Sequence, residues 1–148
     1  MRNKSVLDLD QFTPYRLSVL TNRVSSAIAR HYSGRFNLSI PEWRVMAALG
    51  QTPGLSARQV AERTAMDKVQ VSRAVQSLLA AKRLTRDTHR DDGRVSQLTL
   101  SPGGLAIYKE LVPVALDLER EFLSVLNARE REMLDRLLTK LSTAVPKG

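Results

Sequence analysis

The sequence contains no cysteine and only two histidines, His31 and His89. Without cysteine the chain can form no disulfide scaffold, cysteine-ligated zinc site, catalytic thiol or cysteine redox sensor. Two histidines are also too few for a histidine-rich metal site. We therefore expect neither a metal ion nor another cofactor.

Long apolar runs are lacking as well. None approaches the roughly 20 residues that span a bilayer, and Asp8 and Asp10 interrupt the region where a signal peptide needs an apolar stretch. The 148 residues are 43% hydrophobic and 26% charged, which is typical of one soluble domain with a sizeable core. We expect a cytoplasmic domain, residues 1–148, that makes no membrane contact.

Recognisable catalytic motifs are absent too. The sequence has no H-E-x-x-H, no glycine-rich phosphate loop and no Ser/His/Asp arrangement. The chain is therefore not expected to be an enzyme.

Positive charge is in excess, with 23 Lys and Arg against 15 Asp and Glu. Residues 56–94 carry nine of these cations and five acids, whereas residues 95–148 are balanced. A basic middle segment is typical of a protein that binds nucleic acid, although charge alone fits a solvated surface equally well. The same segment contains no Tyr, Phe or Trp, which argues against RNA binding because single-stranded bases stack on aromatic rings.

Apolar spacing and capping residues predict a series of helices. The first follows Pro14, has His31 on its apolar stripe and ends at Gly34. Later helices begin at the capping patterns Ser39-x-x-Glu42, Ser56-x-x-Gln59, Asp67-x-x-Gln70 and Asn127-x-x-Glu130. The short helices that begin after Ser56 and Asp67 are separated by a brief turn, so they predict a helix-turn-helix.

A β-hairpin is predicted directly after the helix-turn-helix. Residues 84–88 and 95–100 have strand character and flank Asp92-Gly93, a typical hairpin turn. The predicted fold class is thus mainly α, with a winged helix-turn-helix over residues 36–101.

The remaining helices flank this unit, over residues 13–35 and 102–146. Pro113 is expected to kink or break the second region, because proline removes a helical hydrogen bond. Their apolar stripes have no other obvious partner, which favours a homodimer over an intramolecular bundle alone. We expect these helices to form the dimerisation region.

Several strings together resemble the MarR (multiple antibiotic resistance regulator) family of bacterial transcription factors, a resemblance that extends over essentially the whole chain. They are L-S-I-P-E-W-R-V-M at 38–46, M-D-K-V-Q-V-S-R-A-V at 66–75, and D-G-R at 92–94 followed by L-S-P-G-G at 100–104. The last pair is similar to the family's wing pattern. Gly93 departs from it by replacing one basic residue, and Lys82 stands where the family usually has glycine. The turn at Lys82 is expected to differ from the family's or to be strained.

A winged helix places the N-terminal residues of its second helix over base edges in the major groove. The predicted DNA-contacting residues there are Lys68, Gln70, Ser72 and Arg73, and the resemblance implies that Arg73 is a contact position. Ser56 and Arg58 are candidates for phosphate contacts. At the hairpin, Arg94 is predicted to enter the minor groove, Arg90 is a further candidate, and Asp92 either holds Arg94 or simply forms the turn.

The resemblance also implies a small-molecule effector, since family members often bind aromatic acids or phenols between the dimer helices and the winged helix. Arg16, His31 and Trp43 are the candidate ligand-binding residues. For His31 and Trp43 the alternative is ordinary packing. The lack of cysteine excludes the peroxide-sensing variety of the family.

The predicted function is a dimeric regulator of a pseudopalindromic site on double-stranded DNA, acting as a repressor that a small effector relieves. The alternative is a winged-helix module that docks another protein and binds DNA only nonspecifically. A steep salt dependence without sequence preference would favour the alternative.

Overall fold

Side-chain caps determine where most of the helices begin. The computed structural model describes residues 5–88 and 96–146. Within them a short 3₁₀ helix, Leu9–Gln11, precedes helices α1 (Thr13–Phe36), α2 (Ile40–Gln51), α3 (Ala57–Thr64) and α4 (Lys68–Ala80), strands β1 (Leu84–Thr88) and β2 (Ser96–Leu100), and helices α5 (Pro102–Leu123) and α6 (Ala128–Ala144). The four predicted caps are confirmed, at Ser39, Ser56, Asp67 and Asn127. The mainly α fold with one hairpin is confirmed as well.

The end of α1 differs from the prediction. Gly34 does not end the helix, which continues to Phe36 and is capped by Asn37 in the left-handed conformation at φ 49°. Asparagine can take this position because its short polar side chain tolerates it. On the last turns, the buried side chain is Tyr32, whereas His31 is exposed.

The helix-turn-helix and the hairpin share one hydrophobic core. It contains Val45, Met46 and Leu49 of α2, Val60 and Ala61 of α3, Val71, Ala74, Val75 and Leu78 of α4, and Leu84 and Leu98 of the two strands. Most of the periodic positions that predicted α2, α3 and α4 from the sequence are buried, whereas Trp43 and Leu79 are only partly buried. This common core fixes α4 relative to α2 and α3.

The hairpin is antiparallel, with Leu84 opposite Leu100 and Thr88 opposite Ser96. Leu55, between α2 and α3, bridges to Leu98, whose backbone N–H donates to the Leu55 carbonyl at 2.9 Å. The base of the wing is therefore attached to the helix-turn-helix. The predicted tip residues Arg90, Asp92 and Arg94 lie outside the described residues.

Pro113 does not break α5, which runs as one helix from Pro102 to Leu123. Of the two predicted effects of this proline, a kink or a break, the break is therefore wrong. The chain divides into two compact units between Val112 and Pro113. The first unit contains the helix-turn-helix and the hairpin, and the second contains the end of α5 and all of α6.

Candidate nucleic-acid interface

Helices α3 and α4 are joined by residues 65–67. Ala65 turns the chain in the left-handed conformation at φ 54°, and the Asp67 carboxylate then accepts a hydrogen bond from the Gln70 N–H at 3.1 Å. This cap satisfies one of the N–H groups that every helix leaves unpaired at its start. The two helices thus form a tight helix-turn-helix, as predicted.

One face of α4 is buried and the opposite face is open. Val71, Ala74, Val75 and Leu78 are buried, whereas Lys68, Gln70, Ser72 and Arg73 are all exposed. Arg73 forms no hydrogen bond or ion pair with any residue that the structure describes. The four residues predicted to contact DNA therefore lie on one helix, and their side chains are accessible to a ligand.

The start of α3 provides two further predicted residues. Ser56 and Gln59 form a reciprocal capping box, in which the Ser56 N–H donates to Gln59 Oε1 at 2.9 Å and Ser56 Oγ accepts from the Gln59 N–H at 3.1 Å. The Ser56 hydroxyl hydrogen stays available as a donor. Arg58 is exposed and lies 3.2 Å from the Glu62 carboxylate, one turn later, a pairing that is worth little in water.

A groove of about 550 Å³ separates the start of α2 from the exposed face of α4. Glu42 crosses it, because one carboxylate oxygen accepts from the Ser39 N–H at 3.2 Å and the other accepts from the Ser77 hydroxyl at 3.3 Å. Val69 and Arg73 border the same groove. Glu42 therefore ties the start of α2 to the middle of α4.

The end of α4 is held by a Schellman turn around Lys82. Lys82 N–H donates to the Leu79 carbonyl at 3.0 Å and Arg83 N–H to the Leu78 carbonyl at 2.8 Å, the pattern that normally has glycine at the left-handed position. Lys82 adopts that conformation at φ 59°. Of the two outcomes expected for this turn, the structure shows the strained one.

Arg83, the residue after Lys82, contacts both α1 and α5. The Arg83 guanidinium donates to the Phe36 carbonyl at the end of α1, and Gly104 of α5 lies so close to the Arg83 carbonyl that a Cβ there would overlap it. Arg83 was not a candidate residue from the sequence. Its partner is a backbone oxygen 47 residues away, so no local pattern indicates the contact.

A second cavity, of about 370 Å³, lies between α2 and α3. It is lined by Trp43, Arg44, Ala47, Ala48, Gln51, Arg63 and Thr64, and we call it the α2–α3 pocket. Arg44 donates to the Ser25 hydroxyl at 3.1 Å and Arg63 to Gln51 Oε1 at 3.3 Å. The pocket thus combines one indole ring with two guanidinium groups.

Trp43 also belongs to an aromatic cluster. Its ring centroid lies 5.9 Å from that of Tyr32 and 6.2 Å from that of Tyr108. Burial raises the pKa of Tyr32 to about 12, against the opposing effect of the Arg44 cation. Trp43 therefore packs against two aromatic rings and also lines the pocket, so the packing interpretation and the ligand interpretation of this residue are compatible.

Of the three predicted effector residues, only Trp43 lines this pocket. Arg16 and His31 are exposed on α1 and line neither the pocket nor the groove. Arg63 was not among the residues that the sequence suggested for the ligand site. Arg44 adjoins Trp43 in sequence, but only the packing of α3 on α2 brings Arg63 to it.

Metal-ligand clusters and membrane-spanning helices are both absent from the part of the chain that the structure describes. Residues 5–88 and 96–146 contain no group of three or more His, Asp or Glu side chains placed to hold a metal ion. Among the same residues, no helix has the length and apolarity needed to cross a bilayer.

A helix-turn-helix with an open polar face on its second helix, followed by a two-stranded hairpin, defines a winged-helix DNA-binding protein. A family model described as MarR family matches residues 36–95. The HTH-type transcriptional repressor Rv2887 of Mycobacterium tuberculosis is 27% identical over 130 residues, which cover 87% of this chain and 90% of that protein.

Solved structures agree with this match. A MarR/EmrR family transcriptional regulator from Acinetobacter sp. ADP1 superposes with a TM-score of 0.84 at 24% identity, over 93% of this chain and 97% of that one. BpsR of Bordetella bronchiseptica, in a structure concerned with regulation of its DNA binding by 6-hydroxynicotinic acid, gives 0.79 at 26% identity, over 93% and 97%. The chain is thus similar to MarR-family regulators, through the family model over residues 36–95 and through relatives that match most of its length. It is a transcriptional regulator and not an enzyme.

Proposed function

We propose that the protein is a homodimeric repressor that binds a pseudopalindromic operator and is released by a small aromatic effector. The observation that carries the proposal is the exposed face of α4, on which Arg73 forms no bond with any described residue. Arginine can donate two hydrogen bonds to one guanine in the major groove. A guanidinium in this position is available for DNA.

Each predicted residue has a role in this proposal. Lys68, Gln70 and Ser72 accompany Arg73 in the major groove, where glutamine can pair with adenine. Ser56 donates its hydroxyl hydrogen to a phosphate and Arg58 adds charge beside it. At the wing, Arg94 is the proposed minor-groove contact, Arg90 is a further candidate, and Asp92 either holds Arg94 or forms the turn.

Exposed apolar side chains in both units support the homodimer. In α1, Leu17 and Leu20 are 42% and 47% exposed. In α6 the comparable residues are Met133, Leu137, Leu138 and Leu141. A second copy of the chain could bury both sets, and a two-fold dimer would also present two α4 helices to the two halves of a pseudopalindrome.

The α2–α3 pocket supports an aromatic acid as the effector. Its volume is within the usual range for small-ligand sites, and guanidinium groups recognise carboxylates. Trp43 provides the apolar wall. Arg16 and His31 also remain proposed ligand residues, although both lie on α1 and outside this pocket. BpsR, whose DNA binding is regulated by 6-hydroxynicotinic acid, suggests the first compound to try.

In vitro selection from a random duplex pool, at about physiological salt, tests the operator. We expect a two-fold sequence with half-site centres about 34 Å apart. Sedimentation equilibrium on the free protein should give twice the chain mass of 16.5 kDa. A bound pool without a common sequence, whose binding disappears as salt is added, would overturn the repressor and favour the protein-docking alternative.

Trp43 is the single tryptophan, so intrinsic fluorescence reports directly on the pocket. We expect titration with 6-hydroxynicotinic acid and substituted benzoates to quench or shift its emission, and Arg63→Gln to weaken the response. Arg58→Gln is the matched control, because Arg58 lies on the same helix outside the pocket. Equal responses from both variants would place the ligand elsewhere.

A further inference from the structure

Val69 is an exposed valine on the outer face of α4. Its side chain is 56% exposed, and it is the second residue of the helix. With 3.6 residues per turn, position 69 points almost directly away from the buried Val71, Ala74, Val75 and Leu78. Arg73, four residues later, lies on the same side.

Neither packing nor helix propensity explains a valine in this position. Val69 is absent from both the buried core and the partly buried residues packed against it. A β-branched side chain is also a poorer helix former than alanine or lysine, because its χ1 rotamers are restricted. Val69 therefore lowers the stability of α4 slightly in the free chain and makes no contact with the core.

DNA offers one partner of matching chemistry. The N-terminal residues of a recognition helix contact base edges, and the apolar group on those edges in the major groove is the 5-methyl group of thymine. Val69 lies in the first turn of α4 and borders the same groove as Arg73. Its two methyl groups can bury a thymine methyl while Arg73 donates to a neighbouring guanine.

We propose that Val69 is a specificity-determining residue that packs against a thymine methyl group in each half-site. This inference rests on the proposed operator binding. Four helical residues rise about 6 Å, and base pairs are spaced about 3.4 Å apart. The thymine is thus expected within about two base pairs of the guanine that Arg73 contacts.

The test replaces each thymine of the selected operator by deoxyuridine, which lacks only the methyl group. Replacing the contacted thymine in one half-site should weaken binding by about fourfold, the effect of exposing one buried methyl-sized group. Substitution in both half-sites should give roughly fifteenfold. Val69→Ala should distinguish the thymine and uracil duplexes much less than the wild type does, since the two γ-methyl groups that contact the thymine methyl are gone.

Two controls separate contact from folding. Alanine favours the helix, so Val69→Ala should keep the thermal midpoint of the wild type. Gln76→Ala, on the same exposed face two turns later, should retain the wild-type sensitivity to uracil. The assignment is overturned, while operator binding stands, in either of two cases. In the first, the wild type binds every deoxyuridine duplex as tightly as the thymine duplex; in the second, Val69→Ala loses as much affinity on deoxyuridine substitution as the wild type does. A random pool without enrichment would overturn both.

Discussion

The Ser101 hydroxyl donates a hydrogen bond to the Lys82 carbonyl oxygen at 2.7 Å and accepts one from the Gly104 N–H at 3.0 Å. Ser101 is 7% exposed; its bond with Gly104 is buried and its bond with Lys82 is partly buried. One hydroxyl thereby joins the turn after α4 to the first turn of α5. Ser101, which follows β2, thus stabilises the strained turn at Lys82, which precedes β1.

Removing this hydroxyl should destabilise the domain. Ser101→Ala leaves the buried Gly104 N–H without a partner and removes the partly buried bond to the Lys82 carbonyl, at a cost of about 1–3 kcal/mol in the free energy of unfolding. Ser101→Thr keeps the hydroxyl and should cost much less. Urea denaturation followed by circular dichroism gives both values. Equal losses in the two variants would indicate that the hydroxyl contributes little.

Glycine at position 82 should stabilise the protein. Lys82 has φ 59°, which costs a non-glycine residue about 1–2 kcal/mol. Lys82→Gly removes this strain but gives flexibility to the unfolded chain, so we expect a net gain of about 0.5–1 kcal/mol. Ala81→Gly is the control: Ala81 has φ −82°, and its replacement should destabilise. A Lys82→Gly variant less stable than the wild type would contradict the strain argument.

The buried Tyr32 should make stability fall in alkali. Its pKa is about 12 in the folded chain and about 10 in an unfolded one. Between these values the unfolded state loses the proton first, so the free energy of unfolding should decrease as the pH rises from about 10 to 12. Tyr32→Phe lacks this loss. Denaturation midpoints measured across the range should fall less steeply in the variant; parallel curves would disprove the assignment.

Arg73 and Arg58 should differ in what they contribute to binding. Arg73→Ala is expected to cost about 1–3 kcal/mol on the selected operator and to relax specificity at one position. Arg58→Ala should weaken binding uniformly across sequences and reduce the salt slope by about one. Competition binding at several salt concentrations separates these effects. A uniform loss for Arg73→Ala would make Arg73 a phosphate contact instead.

Local signals made the helix-turn-helix predictable. A cap such as Ser39 to Glu42 needs only residues within one turn, so the sequence contains all of it. The buried positions of α4 follow in the same way from the helical period. The strands were predictable too, because Leu98 alternates with polar neighbours.

Features that depend on distant partners were not predictable. Gly34 is a reasonable helix end by composition, yet α1 continues to Phe36, beyond the buried Tyr32, and Asn37 caps it. Proline disfavours the interior of a helix, yet α5 continues through Pro113. Arg63 joins Trp43 only after α3 has packed on α2.

The bond from Arg83 to the Phe36 carbonyl has an evolutionary consequence. Its acceptor is main-chain oxygen, which persists whatever side chain occupies position 36. A pair of positions linked in this way should not covary among homologous sequences, even though it joins α1 to the turn between α4 and the wing. Coevolution analysis would therefore miss this link.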